Sequence, residues 1–292
     1  MDIIENTCNG LFDPQRWGLP ADAVSDVGER LYRFWSRYHD CFRTHTRDPS
    51  ENAYTYLRAQ LTMDTQRNFA NMERRVTGGD GQALQHFMSN SPWEARAVFQ
   101  QLRAELKTQS VLAQGSVVIL DESADEKAGA DSVGASRQHN GRMGKVDLCR
   151  VDTCLAYANP AAGFWTLVDG ELFLPEEWFS PAFAERRQKL GIPGERTFES
   201  KPALGLKMIR RVNAAGLPFE LVACDTLYGR NRALRAALEA EQIAYAADVP
   251  ADTPVYLKPP RVGVPRKRHR KGRTPTRLQV LSAQCQIGRA HV

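Results

Sequence analysis

Long apolar runs are missing from this chain of 292 residues. None approaches the ~18 residues that a spanning helix needs, so no membrane segment is expected. The opening residues Met1-Asp2-Ile3-Ile4-Glu5-Asn6 carry neither a basic region nor an apolar one, so no secretory signal is read and the cytoplasm is the expected compartment. Cysteine is sparse. The six present (Cys8, Cys41, Cys149, Cys154, Cys224 and Cys285) form no C-x-x-C pair, which argues for free thiols rather than a disulfide framework or a structural zinc site. Cys149 and Cys154 lie on either side of a strand start and read as small buried residues, because zinc knuckles bring a second close pair. Internal repeats are absent. Acidic residues are absent after Asp252.

What is present belongs to a globular protein of one large or two modest domains. Hydrophobic residues make up 42% and charged residues 25%, which excludes disordered, collagen-like and fibrous classes. The net charge of +5 is unevenly placed. Ten basic residues lie from Lys258 onward with no acid among them, leaving 29 basic against 34 acidic residues in the first 257. A mildly acidic body with one strongly basic segment points to a polyanionic partner reached by that segment.

Apolar residues recur three and four apart from about Ala21 to Lys107, as in Leu31, Phe34, Trp35, Tyr38 and in Trp93, Val98, Leu102, Leu106, which predicts an all-α module. Ser91-Pro92-Trp93-Glu94 has the pattern of a helix start, with Ser91 as cap and Pro92 in the first turn. The texture then changes. Ser116–Leu120 is a short β-branched run and reads as a buried strand ending on Asp121. Residues 127–147 are rich in glycine and polar groups and read as a loop or weak hairpin. Val151–Ala158 and Gly163–Phe173 flank Asn159-Pro160-Ala161-Ala162 and predict an antiparallel pair. Amphipathic helical character begins at Pro175. Lys201–Ala215 predicts a helix closed by Gly216. Phe219–Cys224 is another short apolar run ending on an aspartate, Asp225; Leu234–Glu241 reads as a helix and Ala244–Val249 as a strand. That order suits a mixed α/β sheet.

Asp121 and Asp225 therefore each end a predicted strand. Carboxylates at one sheet edge can hold magnesium, which takes one or two of them together with water and substrate phosphate. Equally, strand-end aspartates cap turns and helices. The segment Gly134–Lys145 places Arg137, Arg142 and Lys145 among closely spaced glycines, a pattern that suits either phosphate contact or a solvated loop. His139 is a weak acid/base candidate and reads as a surface or contact residue. The run Arg266, Lys267, Arg268, Arg270, Lys271 and Arg273 fits neutralisation of nucleic-acid phosphates; its alternative is a solvated basic linker. Glu122, next to Asp121, points to the other face of a regular strand and is not expected to join a site there.

Several stretches taken together resemble bacterial insertion-sequence transposases of the DDE superfamily, in the group named after insertion sequence seven-zero-one. They are Leu84-Gln85-His86-Phe87 with Ser91-Pro92-Trp93, Leu120-Asp121-Glu122-Ser123, Ser132-Val133-Gly134, Arg137-Gln138, Gly141-Arg142 and Gly144-Lys145-Val146. Further along come Leu174-Pro175-Glu176-Glu177-Trp178, Lys201-Pro202, Gly216-Leu217-Pro218-Phe219 and Asp225-Thr226-Leu227-Tyr228-Gly229-Arg230. The resemblance runs from about Tyr56 to Leu281. It implies an α/β, RNase H-like mixed-sheet core preceded by an all-α N-terminal domain, with three metal-binding acids, the first matched by Asp121 and the second by Asp225. It further implies two Mg2+ (or Mn2+) ions and contacts from Arg137, Arg142 and Lys145 to DNA near the site. The basic segment is read as part of an insertion between the second and third acids.

The third acid, a glutamate on a core helix, has no match here. The ending Gln286–Val292 looks like a translated sequencing adapter, so a core incomplete at its C-terminus and of marginal stability is expected. The expected domains are a helical one over 1–110, the first part of the core over 111–257, the basic insertion over 258–281 and a non-native tail over 282–292. The implied function is cutting of element ends and their joining to target DNA, by homo-oligomers assembled on double-stranded DNA in the bacterial cytoplasm at the nucleoid, without a membrane partner. A catalytically inactive remnant that only binds DNA is the alternative. Another metal-dependent hydrolase is a third possibility.

Overall fold

The computed structural model describes Pro20, residues 25–127, Gly129, residues 132–255 and residues 276–278. The chain divides into two compact units, Met1–Glu105 and Leu106–Val292. Among the described residues the first contains α1 (Val27–Ser36), α2 (Ser50–Thr62), α3 (Phe69–Val76), α4 (Gln82–Ser89) and most of α5 (Ala95–Lys107). Ala59, Met72 and Leu84 form a core there, covered by Tyr56, Met63, Phe69 and Val76. Glu73 is buried beside them because its carboxylate accepts the Leu84 N–H, satisfying a backbone donor at the start of α4.

The helix expected to begin at Ser91-Pro92 starts at Ala95 instead. Trp93 accounts for the delay: its indole N–H donates to the Phe87 carbonyl and its ring stacks on Phe87 at 5.3 Å, so it belongs to the end of α4.

The second unit is built on a mixed sheet of six strands. β1 (Val117–Glu126), β2 (Ser136–Asn140), β3 (Lys145–Asn159) and β4 (Phe164–Leu172) form its antiparallel part. β5 (Leu221–Cys224) and β6 (Tyr245–Ala247) add in parallel beyond β1, giving the order β2-β3-β1-β5-β6 with β4 also on β3. This is a mixed α/β sheet with helices before it in the chain, as the resemblance implies. The segment 127–147 proves to contain a true hairpin, and β3 begins at Lys145, six residues before the expected Val151. β1 does not stop at Asp121. It continues to Glu126 because antiparallel pairing with β3 runs on through Glu126↔Cys149, although its parallel neighbour β5 is lost after Leu120↔Cys224.

One face of the sheet is closed by α7 (Lys201–Ala214). Ser200 caps it, accepting the Ala203 N–H, and Gly216 at φ +70° follows its end, where a left-handed residue lets the Leu217 N–H return to the Val212 carbonyl. Leu204, Met208, Ile209 and Val212 are buried together with Val118, Leu120, Val151, Leu155, Tyr157 and Val222. Gly205 is required for close approach, since a Cβ there would stand 2.5 Å from Leu120 Cδ2. Arg211 pins the same helix to β4 through ion pairs of 2.8 Å to both Asp169 and Glu171. The opposite face is more open, with Ile119, Trp165 and Leu167 exposed. After β5 come the one-turn helix α8 (Thr226–Gly229) and α9 (Arg232–Ala240); the small helix α6 (Ala184–Lys189) lies in the excursion between β4 and α7.

Candidate active site

Asp121 and Asp225 are brought together by strand register. Leu120 pairs with Cys224 in the parallel ladder, so the next residue of each chain is an aspartate, on neighbouring strands about 5 Å apart. Val118, Leu120 and Val222 face α7. By alternation Asp121 therefore projects to the open face. Both aspartates are exposed, and among the described residues neither is ion-paired.

Asp225 also caps α8. Its Oδ1 accepts the Leu227 N–H at 3.0 Å and the Tyr228 N–H at 3.4 Å, so the capping alternative open from the sequence is realised. Capping and metal binding are compatible, because both bonds fall on one carboxylate oxygen. Asp121 Oδ1 accepts the N–H of Glu122 at 2.8 Å.

Neighbouring groups register these charges. The Cys154 thiol, register partner of Asp121, is pushed up to about 11 by burial, with Asp152 and Asp121 adding to the effect. Cys224 is likewise raised to about 11 by burial, then by Asp225 and Asp248. The buried Tyr228 hydroxyl is held far above its usual range by burial and then by Glu122, Asp121 and Asp225.

Asp248 is a residue that sequence reasoning missed. It follows β6, which ends at Ala247 paired with Cys224, and its N–H donates to the Cys224 carbonyl at 3.1 Å. Asp225 and Asp248 thus directly follow β5 and β6, while Asp121 lies on β1 just past the end of its ladder with β5. The signal is the same one, an apolar run ending on an aspartate, but here the apolar pattern resumes at Val249 and hides the end. α8 lies tight against this end: a Cβ on Gly229 would stand 1.9 Å from the Asp248 carbonyl oxygen.

Other sequence candidates are placed elsewhere. Glu122 faces α7, as alternation requires, and is ion-paired with Lys201 at 2.6 Å. Arg142 lies in the exposed turn joining β2 and β3, and Lys145 at the start of β3 is ion-paired with Asp147 at 2.7 Å. Nine residues of β3 separate Lys145 from Cys154, about 30 Å along an extended strand. Arg137 shares the open face with Asp121 but pairs with Leu148, six residues or about 20 Å along β3 from Cys154. The structure does not gather these cations at the carboxylates. Nor is the glycine-rich stretch a solvated loop at its start: Gly134 is buried at φ +76°, where a Cβ would meet the Phe173 carbonyl at 3.1 Å, and the Ser136 hydroxyl donates to Glu177. The run Arg266–Arg273 lies outside the described residues.

Among the described residues no group of three or more His, Cys, Asp or Glu side chains is arranged to hold a metal ion. Two unpaired carboxylates on adjoining strands nevertheless suit magnesium, which keeps several waters and uses one or two carboxylates with substrate phosphate. No helix among the described residues is long and apolar enough to cross a membrane.

Comparison with known proteins identifies the family. Residues 37–287 match the family described as DDE superfamily endonuclease, and the chain belongs to it. It is similar to the probable transposase for insertion sequence element IS701 of Microchaete diplosiphon, with 29% identity over 184 residues, 62% of this chain and 44% of that protein. The resemblance to that transposase group is borne out. The chain thus spans less than half the length of this curated relative. Among solved structures, the Mos1 transposase paired-end complex with left transposon end matches 70% of this chain and 60% of that one, at 16% identity and a TM-score of 0.21. At that score the fold rests on the strand order and not on this likeness.

Proposed function

We propose that Asp121 and Asp225 are metal-binding carboxylates of a DNA transposase that cuts element ends and joins them to target DNA. The observation that carries the reading is the register: two unpaired carboxylates on adjoining parallel strands in a chain of the DDE endonuclease family. They would hold Mg2+ or Mn2+, which supplies activation of the attacking hydroxyl and stabilisation of the leaving oxygen in phosphoryl transfer. Asp121 offers its carboxylate from a continuous strand. Asp225 is oriented by the backbone N–H groups that it caps. The exposure of both leaves room for a DNA phosphate on the open face of the sheet.

Double-stranded DNA is the proposed partner, with homo-oligomers assembling on paired element ends at the bacterial nucleoid. Arg266, Lys267, Arg268, Arg270, Lys271 and Arg273 would neutralise backbone phosphates. Arg137, Arg142 and Lys145 would meet DNA at a distance from the cut, given their places along the hairpin. A helical domain over 1–110, a core from 111 to 257 and a basic insertion over 258–281 are the corresponding proposed divisions. The second reading, a remnant that binds DNA without cutting it, rests on the lack, among the described residues, of a group of three or more His, Cys, Asp or Glu side chains arranged to hold a metal ion.

Incubating the chain with a duplex bearing an element end tests both. Nicking that needs Mg2+ or Mn2+ and disappears in Asp121→Ala and Asp225→Ala, with DNA binding retained, supports the enzyme. Nicking that survives both substitutions overturns the assignment. Binding with no nicking by the parent chain favours the remnant. Binding should weaken steeply with salt, and replacing Arg268 and Arg270 by glutamine should reduce the logarithmic salt slope by about 2.

A further inference from the structure

Behind the carboxylates, on the α7 face of the sheet, lies an ion pair that the chemistry above does not use. Lys201 Nζ stands 2.6 Å from Glu122 Oε2, with 15% and 20% of the two side chains exposed. The ammonium also sits 5.2 Å from the centre of the Phe173 ring. Stability alone gives little reason for this arrangement. Removing two charges from water offsets most of their attraction, and a cation in the first turn of a helix opposes the helix dipole.

Its location supplies a reason. Up to Leu120, β1 is hydrogen-bonded on both edges; beyond Leu120 it has β3 alone, because the ladder with β5 ends there. Asp121 and Glu122 are the first two residues past that point. Adjacent strand residues point to opposite faces, so a tether on Glu122 from α7 fixes the rotation of β1 about its own axis and therefore the direction in which Asp121 projects. Lys201 is itself anchored, as the first residue of a capped helix packed on the same strand through Gly205 and Leu120.

We propose that Lys201, acting through Glu122, is a positioning residue that holds Asp121 beside Asp225 for metal binding. The proposal rests on the reading of those two aspartates as ligands. It assigns Lys201 no contact with metal or DNA.

Mn2+ binding to the full chain, followed by the electron paramagnetic resonance signal of free Mn2+, tests it. The double variant Lys201→Met/Glu122→Leu removes both charges, so the local net charge is unchanged and the apolar replacement keeps the fold. Loss of positioning should weaken Mn2+ binding by about tenfold or more in this variant, as with other supporting partners of metal ligands. Lys201→Arg, which keeps the pair, should stay within about twofold of the parent on the same scale. The single variant Lys201→Met gives a sign test: loss of a nearby positive charge alone would tighten Mn2+ binding, whereas loss of positioning weakens it. A folded double variant that binds Mn2+ like the parent overturns the positioning role. Parent binding that is unchanged by Asp121→Asn, or no parent binding at all, overturns the ligand assignment and the proposal with it.

Discussion

Replacing Asp225 by asparagine and by alanine separates its two roles. Both variants remove the same negative charge from the end of the strand beside β1, so its repulsion of Asp121 is relieved equally in the two and is smaller in salt. Only alanine also loses the cap, whose two hydrogen bonds at 3.0 and 3.4 Å go to the first backbone donors of α8. Loss of such a cap costs about 1 kcal/mol, while asparagine caps as well as aspartate. The Asp225→Asn variant is therefore expected to be at least as stable as the parent and about 1 kcal/mol more stable than Asp225→Ala. In urea the difference amounts to about 0.3 M between midpoints for an m value near 3 kcal/mol/M. Both variants should lose Mn2+ binding together. Equal stability of the two would refute the capping argument. Unchanged Mn2+ uptake in both would show Asp225 to be a cap and nothing more.

Gly205→Val should destabilise by about 2 kcal/mol through overpacking against Leu120, and Leu120→Ala should offset part of that loss in the double variant, read by chemical denaturation. Tyr157→Phe should cost about 1 to 2 kcal/mol in the same assay, because the buried hydroxyl reaches the Leu112 and Pro218 carbonyls at 3.1 and 2.8 Å; an unchanged midpoint would count against those bonds. Cys154 and Cys224, each raised from 9.0 to about 11, should hold about a hundredfold less thiolate at pH 8 than an unperturbed cysteine and react correspondingly slowly with iodoacetamide. The folded state retains these protons more tightly, so their contribution to stability is present below pH 9 and is lost as pH rises through about 11. Rapid modification of Cys154 or Cys224 in the folded chain at pH 8, located by peptide mapping, would contradict that environment.

Local patterns carry much of the fold. The apolar periodicity of α1 and the short β-branched runs of β1 and β5 are properties of neighbouring residues, and so are the Ser200 cap and Gly216 terminator of α7. Asp121 and Asp225 are legible because each follows such a run. Asp248 obeys the same rule and escapes it because Ala247 and Val249 on either side disguise the end of a three-residue strand. The cations of the β2–β3 hairpin are misplaced near the carboxylates for a related reason. Their closeness along the chain to Asp121 says nothing of a fifteen-residue strand that carries the turn about 30 Å away.

By itself the sequence determined the types of element, their order, the uneven charge and the two aspartates, since each depends on residues within a few positions of one another. Only the tertiary structure decided that β1 continues past Asp121, because a partner 33 residues away pairs with it there. It also decided that Asp225 comes at the end of the strand next to β1 and that Lys201 is ion-paired with Glu122 on the opposite face. Those relations depend on sheet register and helix docking, where residues distant in the chain meet.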